Sequence, residues 1–277
     1  MTKSRIDARF AALKAEGRAA FVAYVMAGDP DAATAAEILA ALPAAGADII
    51  EVGFPFSDPM AEGPPIQRAA QRALADGMTL TKTLAAVAAF RQGDDATPII
   101  LMGYTNPLVG WGYEAFARDA AAAGVDGLII VDCPPEEADP LVDALDAEGL
   151  SLIRLATPTT DDQRMLTVVR RTSGFVYYVS VAGVTGVKEA DAAAVAPAVA
   201  RVRAASGLPV AVGFGIKTPE RAAAIARVAD AVVVGSALVD EVAQALAMNE
   251  SVTDRVLSKV ESLAKAVRSA RVASLTV

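Results

Sequence analysis

Eight short runs of apolar residues recur along the chain, and most are rich in β-branched side chains. They read AFVAYVMAG, ADIIEVGF, TPIILMGY, VDGLIIVD, LSLIRLAT, GFVYYVSVAG, LPVAVGFG and DAVVVGSA. Their apolar residues are continuous rather than alternating with polar ones, which is typical of parallel strands covered on both faces. The pattern therefore predicts eight buried parallel strands.

Ala-rich segments of helical character lie between these runs, such as DAATAAEILAALPAAG, YEAFARDAAAAG, EEADPLVDALDAEG, DDQRMLTVVRRTSG and TPERAAAIARVA. Several close on a glycine that predicts a left-handed cap, and these glycines are Gly46, Gly124, Gly149, Gly174 and Gly207. Eight strands alternating with helices, without a long linker or a change of composition, predict one (βα)8 TIM barrel over residues 1–277. An open doubly wound sheet is the alternative, and the count of eight favours the barrel.

The two ends of the chain predict little beyond this barrel. An amphipathic helix is expected at about residues 3–17, with no secretory pattern, and the tail at about 271–277 is expected to be disordered. No apolar run reaches the roughly 18 residues that a membrane span needs. We therefore expect a cytoplasmic protein that does not act at a membrane.

Composition narrows the possible partners and chemistry. The formal net charge is −8 and no stretch clusters Lys and Arg among aromatic residues, which argues against nucleic acid and anionic membranes as partners. The single cysteine, Cys133, fits a reducing compartment. The chain contains no histidine, so proton transfer falls to a carboxylate with a raised pKa, or to Lys, Tyr or Cys. With one cysteine and no histidine, we expect no metal site.

Glu51 is the first candidate for acid–base chemistry. It lies near the end of the second apolar run, in DIIEVGFPFSDPMAEGPPIQ, and ligands of such barrels bind at the carboxyl ends of strands. Desolvation there raises the pKa of a carboxyl group. A structural glutamate that accepts hydrogen bonds is the alternative, which the absence of histidine disfavours. Glu62 follows in a stiff loop with four prolines, where a half-solvated, ionised carboxylate is expected.

Three glycine-bearing turns, GVTG, GFG and GS, follow the last three strands, and a helix is predicted to begin at Ser236. Backbone amides at a helix N-terminus, with glycines that permit close approach, bind anions. The loops after strands seven and eight of a TIM barrel are a frequent phosphate site. Glycines that only satisfy tight turns are the alternative. Lys188 and Lys217 lie nearby but outside the turns, so amides are expected to bind most of the phosphate.

The chain resembles the tryptophan synthase α subunit family over nearly its whole length. The resemblance rests on AFVAYVMAGDP, EVGFPFSDPMAEGPPIQ, MGYTNP, YYVSVAGVTG, VGFGI and VVGSALV, all in the order of that family. It implies a lyase that cleaves indole-3-glycerol phosphate to indole and glyceraldehyde 3-phosphate. It also implies a pyridoxal-phosphate β subunit as partner in an α-β-β-α assembly, and no cofactor in this chain.

The resemblance also assigns residues. Glu51 and Glu62 take the catalytic positions, although the family normally has aspartate at position 62, in DPLADGP rather than DPMAEGP. The extra methylene of Glu62 adds roughly 1.5 Å of reach. The apolar pocket for the indole ring comprises Tyr24, Met102, Tyr104, Leu155, Tyr177 and Phe214. A mobile loop contributes Thr185 and Gly186, and the phosphate contacts are Gly186, Gly215, Gly235 and Ser236.

The rim of the barrel mouth is the expected partner interface. It places polar and apolar groups beside the loop of Glu62, namely Asp58, Pro59, Met60, Asn106 and Trp111. Two other functions stay open at this point. One is an isomerase or epimerase of sugar phosphates, which the apolar pocket disfavours. The other is a non-catalytic barrel that binds ligand only to activate its partner, which the altered Glu62 suggests.

Overall fold

One parallel sheet forms the centre of the protein. The computed structural model describes residues 4–180, 192–213 and 215–271. Within these residues the strands lie in the order β5-β4-β3-β2-β1-β9-β8-β7-β6, and all paired neighbours are parallel. Their bounds are β1 Ala20–Met26, β2 Ile49–Gly53, β3 Ile99–Gly103, β4 Gly127–Ile130, β5 Ser151–Leu152, β6 Arg154–Ala156, β7 Val176–Val179, β8 Val210–Gly213 and β9 Ala231–Val234.

The two edge segments are halves of one strand, interrupted only at Ile153. β5 pairs with β4, and β6 pairs with β7. The N–H of Ile153 itself donates to the carbonyl of Leu128 at 2.9 Å, so the interruption stays attached to β4. The two ends of the sheet therefore meet in a single strand, and the sheet closes. The prediction of a barrel with eight strands is confirmed, and the open doubly wound sheet is wrong.

Helices follow the strands and surround the barrel. Those of the described residues are α1 Arg5–Ala15, α2 Ala32–Ala45, α3 Pro64–Ala75, α4 Leu80–Phe90, α5 Thr105–Trp111, α6 Tyr113–Ala123, α7 Asp139–Ala147, α8 Asp162–Val169, α9 Ala192–Ser206, α10 Pro219–Ala226, α11 Ser236–Met248 and α12 Val252–Ser269. None of them is long and apolar enough to cross a membrane.

Local signals explain most helix ends. The Asp31 side chain accepts from the N–H of Thr34 at the start of α2, and Gly46 ends that helix at φ 115°. All five predicted cap glycines have positive φ, which a residue with a side chain adopts at a cost. Gly174 is not a helix cap, however, because α8 ends at Val169 and its C-cap is Arg170. Pro64 and Pro65 depart from the expectation of a loop, because they form the first turn of α3. Proline suits that position, since the first N–H groups of a helix have no partner within it.

Helix α1 covers the amino-terminal end of the barrel and is the additional N-terminal helix that the sequence predicts. Its buried residues Ile6, Phe10 and Leu13 join the apolar cluster inside the barrel. Phe10 packs against Phe175 with ring centroids 5.7 Å apart. This end of the barrel is closed by apolar contacts, so a ligand reaches the interior from the carboxyl ends of the strands.

Two apolar layers make up the core. Side chains on β-strands alternate between the interior of the barrel and the surrounding helices. Ile129 and Ile153 belong to the inner layer, whereas Leu128 and Leu152 belong to the outer layer. This alternation decides which side chains line a central site and which ones face the helices.

Candidate active site

A pocket of about 480 Å³, including the open solvent at its mouth, lies at the carboxyl ends of the strands. It brings together residues from distant parts of the chain, and its lining comprises Tyr24, Glu51, Glu62, Ile66, Met102, Tyr177, Gly215, Ile216, Val233, Gly235 and Ser236. Eight of these are residues that the sequence analysis assigned to the site. Two carboxylates therefore share an otherwise largely apolar pocket with a helix N-terminus.

Glu51 lies inside the barrel rather than at its rim. It is the third of the five residues of β2, two residues before the strand ends, which corrects the expectation of a strand-end position. Its register places it beside Tyr24 on β1 and Ile100 on β3. Only 1% of its surface is exposed, and its Oε1 atom has no hydrogen-bond partner among the residues that the structure describes. Burial, followed by the charge of Glu62, raises its pKa to about 8.

Glu62 is buried too, although a half-solvated position was expected. It is 8% exposed, and burial raises its pKa to about 7. Its backbone is held from both sides: Gln67 Nε2 donates to its carbonyl at 2.9 Å, and its own N–H donates to the carbonyl of Pro59 at 3.1 Å. The loop places this carboxylate over the pocket mouth because α3 begins directly after it.

The two carboxylates influence each other's ionisation. An ionised Glu62 raises the pKa of Glu51 further, because two negative charges in one desolvated pocket repel each other. Near neutral pH the pair therefore favours a state with one proton, as coupled acids do. One carboxyl group that can donate a proton and one carboxylate that can accept a hydrogen bond then coexist in the same pocket.

Two tyrosines stand beside the carboxylates. Tyr24 and Tyr177 are buried, and desolvation together with the negative charges of Glu51 and Glu62 raises the pKa of both phenols well above 10. Both phenols therefore stay neutral. Together with Met102 they line the apolar part of the pocket. Three further lining residues escaped the sequence analysis, namely Ile66, Ile216 and Val233. The start of α3 at Pro64 was the signal that could have revealed Ile66.

Other residues assigned to the apolar pocket lie elsewhere. Tyr104 does not line it: its hydroxyl oxygen accepts the N–H of Ala61 at 3.0 Å, and its ring stacks on Phe56 at 5.3 Å. Tyr104 therefore supports the loop that carries Glu62. Leu155 packs against the inner layer and lines a different cavity. Three more assigned residues lie outside the residues that the structure describes, namely Thr185, Gly186 and Phe214.

The opposite side of the pocket is suited to an anion. Helix α11 begins at Ser236 as predicted, directly after Gly235, and Gly215 lies nearby in the lining at φ 71°. The first N–H groups of a helix have no partners within the helix and point beyond its end. Lys217 is exposed and does not line the pocket. Backbone amides are therefore the donors that this side offers to a phosphate.

The rim residues differ in exposure. Met60 is 80% exposed and Val109 57% exposed, which is unusual for large apolar side chains. Asp58 and Asn106 are exposed as well, and Pro59 is half-buried. Trp111 differs from the others, because it packs edge-on against Phe116 at 6.1 Å and its Nε1 donates to Asp119 Oδ2 at 3.1 Å. Part of Trp111 therefore belongs to the core.

The described part of the chain contains no group of three or more metal-binding side chains.

Comparison with known proteins identifies the family. A family model described as tryptophan synthase alpha chain matches residues 10–268. The tryptophan synthase alpha chain of Phenylobacterium zucineum is 82% identical over 271 residues, covering 98% of both chains. That of Caulobacter vibrioides is 75% identical over 272 residues, covering 98% of this chain and 99% of the relative.

Solved structures agree with this match. The crystal structure of tryptophan synthase subunit alpha from Legionella pneumophila has a TM-score of 0.90 and 41% identity, and the match covers 96% of this chain and 99% of that one. Tryptophan synthase from M. tuberculosis, in an open form, has a TM-score of 0.85 at 38% identity and the same coverage. Sequence, fold and pocket thus agree over nearly the whole chain, which belongs to the tryptophan synthase alpha chain family.

Proposed function

We propose that the pocket around Glu51 and Glu62 cleaves indole-3-glycerol phosphate to indole and glyceraldehyde 3-phosphate. The chain is a lyase of tryptophan biosynthesis, in keeping with its family. The observation that carries the assignment of the site is the pair of buried carboxylates with raised pKa values, in an apolar pocket that ends at a helix N-terminus. One substrate molecule can then place its indole ring against the apolar lining, its reacting carbon beside a proton donor, and its phosphate at the helix N-terminus.

Glu51 is proposed as the acid and the base. Cleavage of the bond between the indole ring and the glycerol chain requires a proton at C3 of the ring and removal of the proton from the adjacent glycerol hydroxyl. A Glu51 with a pKa of about 8 is protonated at neutral pH and can give its proton to C3. The resulting carboxylate then takes the hydroxyl proton as the carbon–carbon bond breaks, which returns Glu51 to its starting state.

Glu62 is proposed to stabilise the charge that develops on the ring. Protonation at C3 leaves positive charge on the indole nitrogen, and an ionised carboxylate that accepts the N–H hydrogen bond stabilises it. The pKa of about 7 makes Glu62 the more acidic member of the pair. It therefore carries the negative charge while Glu51 keeps the proton.

The remaining substrate contacts follow from the pocket. Tyr24, Met102 and Tyr177 are proposed to enclose the ring, and the amides at Gly215, Gly235 and Ser236 are proposed to hold the phosphate. Tyr104 acts through the loop of Glu62. The roles of Leu155, Phe214, Thr185 and Gly186 rest on the family resemblance alone.

The partner is proposed to be a tryptophan synthase β subunit in an α-β-β-α assembly. The exposed apolar side chain of Met60 lies on the loop of Glu62, and that of Val109 lies on α5 after β3, where an interface would also cover the loop of Glu62. Binding there couples association to loop order and activity. The proposed chemistry uses proton transfer only, so pyridoxal phosphate is assigned to the partner.

Incubation of the purified chain with indole-3-glycerol phosphate tests this function. Indole release is the expected result, with a higher rate when a β subunit is added. A barrel of the isomerase type would instead convert a sugar phosphate that lacks an aromatic ring. A regulatory barrel would release no indole, alone or with its partner, and that outcome would overturn the proposal.

A further inference from the structure

Arg154 occupies a position that is apolar in the neighbouring strands. On β6 it lies between the inner-layer residues Ile153 and Leu155, so its side chain belongs to the outer layer, between the barrel and the helices. Its register partner on β7 is Val176, which pairs in turn with Val210 on β8. Both valines are fully buried members of the outer apolar layer. Arg154 therefore places a cation in an apolar layer.

The charge of Arg154 has no partner in the described protein. The residue is 7% exposed, its Nε is buried without an acceptor, and it forms no ion pair. Desolvation lowers its pKa, and the positive charge of Arg170 adds to this effect, which the carboxylates of Asp139 and Glu136 oppose only in part. An unpaired buried cation is costly, because a protein interior solvates charge poorly.

The nearby carboxylates are already engaged. Glu136 pairs with Arg164, and Asp139 pairs with Arg170 at 3.2 Å. The carboxylate of Asp132 accepts from the N–H and the hydroxyl of Thr105 at 2.8 and 2.9 Å. Glu136 and Asp139 are thus paired with other arginines, one oxygen of Asp132 is held by Thr105, and none of the three forms an ion pair with Arg154.

Arg154 lines a cavity of about 930 Å³ including its mouth, separate from the central pocket. Its apolar lining includes Leu152, Ile130 and Val168. Besides Arg154, its polar and charged lining comprises Asp132, Cys133, Thr160 and Arg164. No residue lines both cavities, although Leu155, which the family resemblance assigns to the indole pocket, lines this one.

We propose that this cavity binds a small organic anion whose oxygen atoms pair with the guanidinium of Arg154. A guanidinium group presents several N–H donors in a plane, which suits a carboxylate or a phosphate group. The apolar lining around Leu152 and Val168 receives the hydrocarbon part of the molecule. The site lies outside the proposed catalytic pocket, so its occupant is distinct from the substrate.

Cys133 makes the test specific. It is the only cysteine of the chain, it is half-buried, and it lines this cavity. A neutral disulfide such as 4,4′-dithiodipyridine reacts with its thiolate: the S–S bond of the reagent breaks, a mixed disulfide forms, and the released thiopyridone is read by absorbance. The rate of this reaction in the full chain reports occupancy of this cavity alone.

Three probes are compared at equal ionic strength against chloride: benzoate, phenyl phosphate and inorganic phosphate. Benzoate or phenyl phosphate is expected to slow the modification of Cys133 roughly tenfold at saturation. The bound ligand fills the cavity that the thiol lines, and so keeps the disulfide reagent away from it. Protection by benzoate assigns carboxylate chemistry, and protection by phenyl phosphate assigns phosphate esters. Protection by inorganic phosphate alone would contradict the organic character of the ligand.

Arg154→Met and Arg170→Met form a matched pair of variants. Each removes one positive charge, but Arg170 is exposed and paired with Asp139, and it does not line the cavity. Protection is expected to vanish in Arg154→Met and to persist in Arg170→Met. Equal protection in the two variants, or no protection of the parent by any probe, would overturn the proposal.

Thermal unfolding gives a second measurement that does not depend on Cys133. The anion that protects the thiol is expected to raise the Tm of the parent and of Arg170→Met, because it binds the native state, and to leave the Tm of Arg154→Met unchanged. If Arg154→Met fails to fold, the parent alone still tests whether the cavity binds the anion. Saturable protection of its Cys133 relative to chloride supports binding, and no protection overturns it. An anion that protects Cys133 without raising the Tm of the parent would count against binding.

Discussion

The phenol oxygen of Tyr24 fills the space in which any residue larger than glycine at position 53 would place its Cβ atom. An ideal Cβ on Gly53 would lie 2.2 Å from this oxygen and 2.8 Å from the ring carbon that bears it. The same relationship recurs across the pocket, where a Cβ on Gly213 would lie 2.0 Å from the phenol oxygen of Tyr177. Glycine at these two strand ends allows both tyrosines to stand beside Glu51.

Gly53→Ala is therefore expected to destabilise the isolated chain by about 1–3 kcal/mol, as other overpacked sites do, and to reduce indole release. Gly110→Ala is the matched control, because its Cβ meets no atom within 4 Å. Urea unfolding measures the free energy of unfolding of both variants. The combination of Gly53→Ala with Tyr24→Leu is expected to recover stability but not activity. A loss of stability equal in the two single variants would contradict the steric relationship.

Glu51→Gln is expected to abolish indole release while the fold and ligand binding persist. The amide keeps the shape of the carboxyl group but cannot transfer a proton, which costs on the order of 10²-fold or more in turnover. Steady-state indole release measures the loss, and calorimetry with a glycerol-phosphate ligand measures binding. Near-normal turnover in the purified variant would falsify the assignment of Glu51.

The stability of the protein is expected to depend on pH through the same two residues. The pKa values of Glu51 and Glu62 are raised from 4.5 to about 8 and about 7. Between pH 4.5 and about 8 the native state binds more protons than the unfolded state. The two buried carboxyl groups therefore stabilise the native state fully below pH 4.5, and this contribution is lost as the pH rises to about 8. Urea unfolding across this range should show a smaller decline for Glu51→Gln. An identical decline in both proteins would show that Glu51 titrates normally.

Glu62→Ala is expected to lower turnover by about 10²-fold or more, because the negative charge that faces the indole nitrogen is lost. Glu62→Asp restores the residue usual in the family within a loop fitted to glutamate. It is expected to retain activity without exceeding that of the parent, since a displacement near 1 Å is itself costly. Indole release with and without a β subunit measures both variants. Unchanged turnover in Glu62→Ala would favour the regulatory function.

Phosphate binding is expected to depend on the backbone rather than on lysine. The Cβ of Gly235→Val would meet Tyr24 at an ordinary 3.4 Å, so the fold should tolerate it, but the added side chain occupies the side assigned to the phosphate. Lys217→Ala removes an exposed charge that does not line the pocket. Calorimetry with a glycerol-phosphate ligand should show a severe loss for the glycine variant and a modest one for the lysine variant. The reverse order would reject the amide site.

Features that depend on neighbouring residues were accessible from the sequence. Continuous apolar runs predicted the strands, and Gly46 and Gly124 marked helix ends because only local backbone geometry decides a left-handed cap. The start of α11 at Ser236 and the burial of Glu51 belong to the same class, since an apolar run around a carboxyl group already implies desolvation. The family motifs also predicted that Glu51, Tyr24 and Gly235 belong to one site.

Tertiary structure decided what depends on residues distant in the sequence. Glu62 looked solvated because its own loop is polar, yet α3 and Tyr104 hold that loop over the pocket and bury the carboxylate. Arg154 is one polar residue in the apolar run LSLIRLAT, and only the pairing of β6 with β7 shows that it faces the outer layer, where its Nε has no hydrogen-bond partner among the described residues. Sequence patterns report the neighbours of a residue along the chain, whereas burial and pKa depend on the elements that pack over it.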